Sequence, residues 1–209
     1  VGSEMCIRDR LSIIFMEILV ATHNLHKKEE IQQILGTEYI VTSLSDYNLN
    51  DEIIEDGSTF QDNALIKAKY CFEKTGKASV GDDSGLVVEA LGGRPGIFSA
   101  RYAGNHNFKK NIEKVLDEMK DEPNRRAYFI TVLCYKDADG EHFFEGRVYG
   151  NLTNEVFGAD GFGYDPIFVP DDYNQTFAEM KTAEKNKISH RSEALKKFLD
   201  FLNSKGGVL

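Results

Sequence analysis

The sequence predicts a domain of α/β or α+β class built around a mixed β-sheet. Three observations carry that expectation. Short β-type runs alternate with segments of helical periodicity along the chain. The first run, "EILVA", leads through a polar loop into the helical "KKEEIQQIL". Two later runs, "RRAYFITVLCYK" and "EHFFEGRVYG", are joined by "DADG", a strong hairpin signal.

The first ten residues, "VGSEMCIRDR", have no apolar periodicity and resemble translated sequencing-adaptor sequence. In "LSIIFMEILVA" Glu17 interrupts the apolar run and no small-residue cleavage site follows, so it does not read as a signal peptide. Residues 1–15 are therefore set aside as a non-native or disordered extension, Met16 is the expected start, and 16–209 is expected to be a single domain. After the first strand, Ile31, Ile34 and Leu35 recur at helical spacing and Gly36 supplies a stop. "EYIVTSL" reads as a second strand and "LSDYNLNDEIIEDG" as an acidic, exposed loop.

A second helix is expected in "STFQDNALIKAKYCFEKTGK", with Ser58 and Gln61 as a capping box, an apolar stripe through Phe60, Ala64, Leu65, Ala68, Cys71 and Phe72, and Gly76 as its end. "ASVG" reads as a short strand running into the acid pair Asp82–Asp83, with "GLVVEAL" extended beyond it. Ile112, Val115, Leu116 and Met119 mark a third helix, and the hairpin follows. "GADGFGYDPIF" reads as a glycine-rich loop. The tail "AEKNKISHRSEALKKFLDFLN" becomes helical with Leu195, Phe198, Leu199 and Leu202 inward. No repeat, linker or low-complexity segment divides the chain.

The chain's 209 residues suffice for one sizeable domain, or two closely joined lobes, around a real core. A formal net charge of −9 argues against nucleic acid or an anionic membrane as partner, because both require a basic surface. A small anionic substrate stays open if local positive groups or a metal offset that charge. Cys6, Cys71 and Cys134 are far apart, odd in number and without C-x-x-C pairing. They predict a reducing compartment, the cytoplasm, and no zinc site.

Three segments carry chemistry. In "GDDSG" the run of Asp, Ser and Gly has the composition of a plain turn. It equally suits a hard-cation site, since Mg²⁺ takes one or two carboxylates and keeps waters, and Glu55 in the acidic loop would be a second ligand. Ser84 lacks the G-x-S-x-G elbow of a serine hydrolase. In "ATHNLHKKEE" a strand, a polar loop and a helix start make an anion site from free backbone N–H groups, with Thr22, Asn24 and Lys27 as further donors. The same segment also reads as a solvated basic helix start, and it is not a P-loop. Asn63 and Lys67, four residues apart, share a helix edge: a surface pair, or a lysine reaching a phosphate. In "GFGYDPIF" and "AEKNKISHR", Phe162 between glycines is free to stack on a planar ring, and His190 with Arg191 at a helix start would donate to carbonyl oxygens. Each has a plainer reading alone, but together they outline a nucleoside triphosphate site.

These blocks resemble the inosine triphosphate pyrophosphatase family, whose members are also described as XTP/dITP diphosphatases. The likeness runs in order from about Ile18 to Leu202: T-x-N-x-x-K with Glu30, "TFQDNALIKA", "DDSGLVVEALGGRPGIFSARYAG", "FGYDPIF" and "EKNKISHR". It implies a long curved mixed β-sheet flanked by helices, with two lobes enclosing a nucleotide cleft, and a homodimer. It makes Asp83 the catalytic general base and, with Glu55, a Mg²⁺ ligand. It places Thr22, His23, Asn24, Leu25, His26, Lys27, Lys67 and Ser84 around the phosphates, and Phe162, Gly163, Tyr164, Asp165, Lys185, His190 and Arg191 around the sugar and base. The implied reaction is hydrolysis of ITP, dITP and XTP to the monophosphate and pyrophosphate. Two positions depart from the family pattern. His26 stands where Gly is frequent, which predicts a differently shaped phosphate loop, and Asp62 stands where Glu is frequent. The rivals are a nucleotide sensor that kept the cleft and a pyrophosphatase for other modified nucleotides, pyrimidines included.

Overall fold

A computed structural model describes residues 16–104 and 107–206; the expectations for residues 1–15, Cys6 among them, lie outside that span. The chain enters the sheet with Met16–Val20 (β1), where Ile18, Leu19 and Val20 are all fully buried. Such burial on both sides is what a continuous apolar run gives in a parallel strand. Leu25–Leu35 (α1) carries the chain back to Tyr39–Ser43 (β2), parallel to β1. Phe60–Thr75 (α2) follows, then Ser79–Val88 (β3), parallel to β1 at Leu19 and Val20. Phe108–Glu118 (α3) precedes the hairpin of Arg126–Asp137 (β4) and Gly140–Leu152 (β5). Phe168–Pro170 (β6) closes the sheet, and Thr182–Ile188 (α4) and His190–Gly206 (α5) end the described chain. The order is β2-β1-β3-β4-β5-β6, parallel among the first three strands and antiparallel thereafter. The mixed, helix-flanked sheet is the architecture expected. Among the described residues no helix is long and apolar enough to cross a membrane.

The alternation of side chains along β3 divides the core. Val80, Asp82, Ser84, Leu86 and Val88 share one face and stand opposite Tyr135, Leu133, Thr131, Phe129 and Ala127 of β4. At one end of this double row Val80, Leu133 and Tyr135 join Ile31 of α1 and Leu195 and Phe198 of α5. At the other end Leu86, Val88, Ala127 and Phe129 join Ile112 of α3 with Phe168 and Phe177. Between the two apolar clusters the row turns polar, with Asp82, Ser84 and Thr131. On the opposite face Gly81, Asp83 and Gly85 lie toward α2. That helix sits so close that a Cβ on Gly81 would meet the Ala64 carbonyl oxygen at 2.1 Å.

Four expectations change. "DDSG" is no turn: Asp82 and Asp83 lie inside a ten-residue strand laddered to Leu133 and Val132, and that pairing overrides their local turn preference. The capping box of α2 moves one residue along. Thr59 Oγ1 accepts from Asp62 N–H at 3.0 Å while the Asp62 carboxylate accepts from Thr59 N–H at 3.0 Å. The acidic loop is only partly exposed, since Leu44 opens it in a 3-10 turn and is buried with Leu19, Ala21 and Cys71. The tail is two helices instead of one continuous helical segment, broken where Ser189 is extended, and His190 with Arg191 stands at a helix start as expected.

Candidate active site

β1 ends at Val20, paired with Val80, while β3 runs on past it. From Gly81 onward that edge of β3 faces the loop leading into α1, so Asp82 and Asp83 project beside the carboxyl end of a parallel strand. This is where ligands bind in open α/β sheets. The two acids point to opposite faces.

On the α2 face, Lys67 Nζ lies 3.0 Å from Glu55 Oε2 and 3.6 Å from Asp83 Oδ1. Asn63 donates from Nδ2 to Asp83 Oδ2 at 3.1 Å. Burial pushes the Asp83 carboxyl up to about 6, with Lys67 and Asn63 offsetting it only in part and Glu55 and Asp82 adding to it. Burial works against the Lys67 ammonium as well, but Asp82, Asp83 and Glu55 outweigh it and hold the lysine charged. Among the described residues no cluster of three or more His, Cys, Asp or Glu side chains could hold a metal. The donor set is therefore two carboxylates with an ammonium between them. A hard cation that takes few protein ligands and completes its shell with water and phosphate fits that arrangement.

On the other face, Lys27 Nζ donates to Asp82 Oδ2 at 2.7 Å. Burial opposes the charge on Asp82, yet Lys27, Lys67 and Arg191 hold its carboxyl well below the usual carboxylate range. Here the polar floor opens into a cavity of about 480 Å³, walled on its apolar side by Leu86, Phe129 and Phe177. Asn24, Lys27, Ser84, Phe162, Gly163, Tyr164, Asp165, Lys185, His190 and Arg191 all line it. Ser84 Oγ is hydrogen-bonded to Thr131 Oγ1 at 2.7 Å. Asp165 Oδ2 accepts from Phe162 N–H and from Lys185 Nζ, both at 2.5 Å, and so fixes the glycine-rich loop to the helical tail. The Tyr164 hydroxyl donates to the Ser99 carbonyl at 2.9 Å. Phe162 is 58% exposed and rests edge-on against Phe108, with ring centroids 4.4 Å apart.

His190 stacks on Phe129 at 5.0 Å and 13°. Burial, reinforced by Arg191, Lys185 and Lys27, lowers its pKa well below the ordinary value, so the ring is neutral. Arg191 Nη1 donates to Glu30 Oε2 at 2.9 Å. His190 Nδ1 and Arg191 Nε are buried without a protein hydrogen-bond partner, and groups so placed call for a ligand or water. The start of α5 reaches this position because β5 has Gly146 there: a Cβ would meet the His190 carbonyl oxygen at 2.0 Å.

Most of the residues expected in one site thus fall into a cavity and a carboxylate–lysine cluster on either side of the β3 edge, while Thr22, His23 and Leu25 border neither. Glu55, Lys67 and Asp83 do not line the cavity. Thr22 is buried at the loop, its Oγ1 accepting from Asn24 N–H at 3.1 Å. His23 lies near Ser45, with Nδ1 3.4 Å from its Oγ, and Leu25 is 62% exposed; neither borders the cavity. His26 falls in the first turn of α1, and its side chain lies outside what is described.

Residues 18–201 match the Ham1 family. The chain belongs to the Ham1 family. A relative from Flavobacterium psychrophilum, named dITP/XTP pyrophosphatase, is 42% identical over 90% of this chain and 100% of its own. One from Bacillus subtilis, with the same name, is 44% identical over 92% of this chain and 100% of its own. The solved structure of the Staphylococcus aureus Ham1 protein superposes with a TM-score of 0.85 at 36% identity, covering 90% of this chain and 99% of that one. These names bear out the resemblance read from the motifs.

The structure adds residues that the motif reading passed over. Thr131 is fully buried opposite Ser84, and its signal was available: a threonine at an inward position of the apolar run "AYFITVLCY". Phe108 and Phe129, which touch Phe162 and His190, carry no such signal, because an aromatic at the start of a helix or within a strand reads as core.

Proposed function

We propose that this chain hydrolyses ITP, dITP and XTP to the nucleoside monophosphate and pyrophosphate, removing them from the nucleotide pool. The observation that carries the proposal is the cavity with two buried nitrogens, without protein hydrogen-bond partners, among its lining residues, adjoining a lysine-bridged pair of carboxylates at the open β3 edge. The names of relatives more than 40% identical support it.

In this reading the base stacks on Phe162, while His190 and Arg191 donate toward its 6-oxo group. A neutral imidazole donates from one nitrogen and a guanidinium from all of its N–H groups. Adenine presents an amino group at that position, which leaves donors facing donors; sites built on such bonds discriminate by about 10⁴–10⁵. Thr22, Asn24 and Ser84 hold phosphate oxygens, and Lys27 and Lys67 neutralise charge that develops on the departing pyrophosphate. Glu55 and Asp83 would hold Mg²⁺, whose chemistry when bound is to polarise the phosphates and neutralise their charge. Asp83, whose Oδ1 lies on the open side of its carboxylate beside Lys67, accepts the proton from the attacking water. The water oxygen bonds to the α-phosphorus as the α–β bridging bond breaks.

The same proposal includes a cytoplasmic homodimer that takes no nucleic acid or membrane partner. Cys71 and Cys134 are buried and free, as a reducing compartment allows, and the exposed Phe143 and Tyr149 of β5 offer apolar surface to a second copy. The deciding experiment is a panel of ITP, dITP, XTP, GTP, ATP and pyrimidine triphosphates assayed with Mg²⁺ for released pyrophosphate. The expected result is pyrophosphate from the first three and little from ATP. Orthophosphate as first product, or no preference for 6-oxopurines without a 2-amino group, would sink the reading.

A further inference from the structure

Asn63 lies in the first turn of α2 and is fully buried, and both ends of its carboxamide are used. Its Nδ2 donates to Asp83 Oδ2 at 3.1 Å and its Oδ1 accepts the Gly57 N–H at 2.9 Å. Gly57 follows Glu55 by two residues in a segment without regular structure, whereas Asp83 lies within a laddered strand. One amide therefore ties the loop that carries one carboxylate to the strand that carries the other. A surface helix pair, the plain reading of Asn63 with Lys67, does not account for a fully buried amide.

We propose that Asn63 is a positioning residue that sets the spacing of Glu55 and Asp83 for a divalent cation; this rests on the reading of those two carboxylates as its ligands. The bond to Oδ2 divides the labour of the Asp83 carboxylate. Oδ2 is engaged by the amide, leaving Oδ1, the oxygen 3.6 Å from Lys67 Nζ, to face a cation or a water. The bond from Gly57 holds the Glu55 loop against the helix start, where there is no spare room. A Cβ on Gly57 would meet Asp62 Cβ at 2.5 Å and Asn63 Oδ1 at 2.7 Å. Any side chain at 57 must therefore push the loop, and Glu55 with it, away from Asp83. Substituting groups that orient metal ligands typically lowers metal affinity or activity by about 10–100-fold.

Two variants reach this arrangement from opposite sides. Asn63→Ala removes both bonds, while Gly57→Ala leaves the amide in place and displaces the loop. Mn²⁺ is titrated into parent and variants with the free ion counted by electron paramagnetic resonance, IMP affinity is measured by calorimetry without metal, and thermal unfolding is followed alongside. The expected result is Mn²⁺ affinity reduced by about 10–100-fold in both variants with IMP affinity unchanged. Unaltered Mn²⁺ affinity, IMP affinity falling in step with it, or a parent that binds no Mn²⁺ overturns the proposal. If Asn63→Ala fails to fold, Gly57→Ala decides alone. Pyrophosphate release from ITP by the parent tests the enzymatic reading separately. A parent that binds Mn²⁺ through an Asn63-dependent site but releases no pyrophosphate would sink the reaction and leave the positioning role standing.

Discussion

Asp82 and Asp83 are neighbours in sequence and opposites in environment. Asp82 lies on the α5 face with Lys27 at 2.7 Å and further positive charge from Lys67 and Arg191, and its carboxyl is held ionised. Asp83 lies on the α2 face, where burial outweighs a single lysine at 3.6 Å and the carboxyl is pushed up to about 6. A compensated acid stabilises what surrounds it; an under-compensated one costs stability and retains basicity for chemistry. The period-two alternation of a strand is enough to create this division from two identical residues.

The largest expected effect breaks the comparison at Asp83. Asp83→Asn keeps the shape of the side chain and removes the base, and loss of general-base help alone lowers turnover by about 10²–10⁴-fold. Asp82→Asn should lower turnover far less. Steady-state pyrophosphate release from ITP across a Mg²⁺ titration measures both. Near-parent turnover in Asp83→Asn together with an inactive Asp82→Asn would reverse the roles.

The next effect is on stability and belongs to Asp82. Removing one member of a buried pair costs about 3–5 kcal/mol, and the lower end applies because the Lys27 side chain is 24% exposed. For a chain of this size that corresponds to a fall in Tm of roughly 6–12 °C. Differential scanning calorimetry of Asp82→Asn at pH 7 checks it, and a Tm equal to the parent's would mean Lys27 and Arg191 contribute nothing to holding Asp82.

How much of this was legible in the sequence depended on how local its cause was. β1, α1 and the hairpin were readable because their signals lie within a few residues: apolar runs, helical spacing, "DADG". The strand through "GDDSG" was not, because Asp, Ser and Gly locally favour turns and only the ladder to β4, some fifty residues on, overrides them. The helix start at His190 was read, but the separate short helix before it was not: "ISH" contains neither Pro nor Gly to mark a break, and the close packing of α5 on Gly146 of β5 is a long-range fact. The strand–loop–helix pattern pointed to Asn24 and Lys27, which line the cavity, and to Thr22, which is buried in the loop beside it. The separation of the carboxylate cluster from the cavity did not, since it follows from which face of β3 each residue occupies.

A third effect probes the far end of the cavity. Phe162 rests on Phe108 and is largely exposed, so Phe162→Ala should leave the fold intact. Base–aromatic stacking contributes about 1–3 kcal/mol, which predicts IMP affinity lower by roughly 5–150-fold, measured by calorimetry, with Mn²⁺ affinity unchanged. Equal loss of both would mean that cavity and carboxylate cluster are one site instead of two adjoining ones.

The smallest expected effect sharpens the comparison without abolishing anything. The Asp83 carboxyl rises from an ordinary value of 3.8 to about 6 on folding, so between roughly pH 4 and 6 the folded protein holds more protons than the unfolded one. Acidification through that window therefore favours the fold through this group, by about 1 kcal/mol between pH 7 and pH 5, or roughly 2–4 °C in Tm. The Asp82 carboxyl is depressed on folding, so its contribution is intact above the ordinary carboxylate range and lost only at lower pH. In EDTA, the Tm difference between parent and Asp83→Asn should shift in the parent's favour from pH 7 to pH 5, while the difference between parent and Asp82→Asn stays level. Saturating Mg²⁺ should cancel the shift by keeping Asp83 ionised. A level difference for both variants would mean that the two acids titrate alike and that alternation along β3 has not separated them.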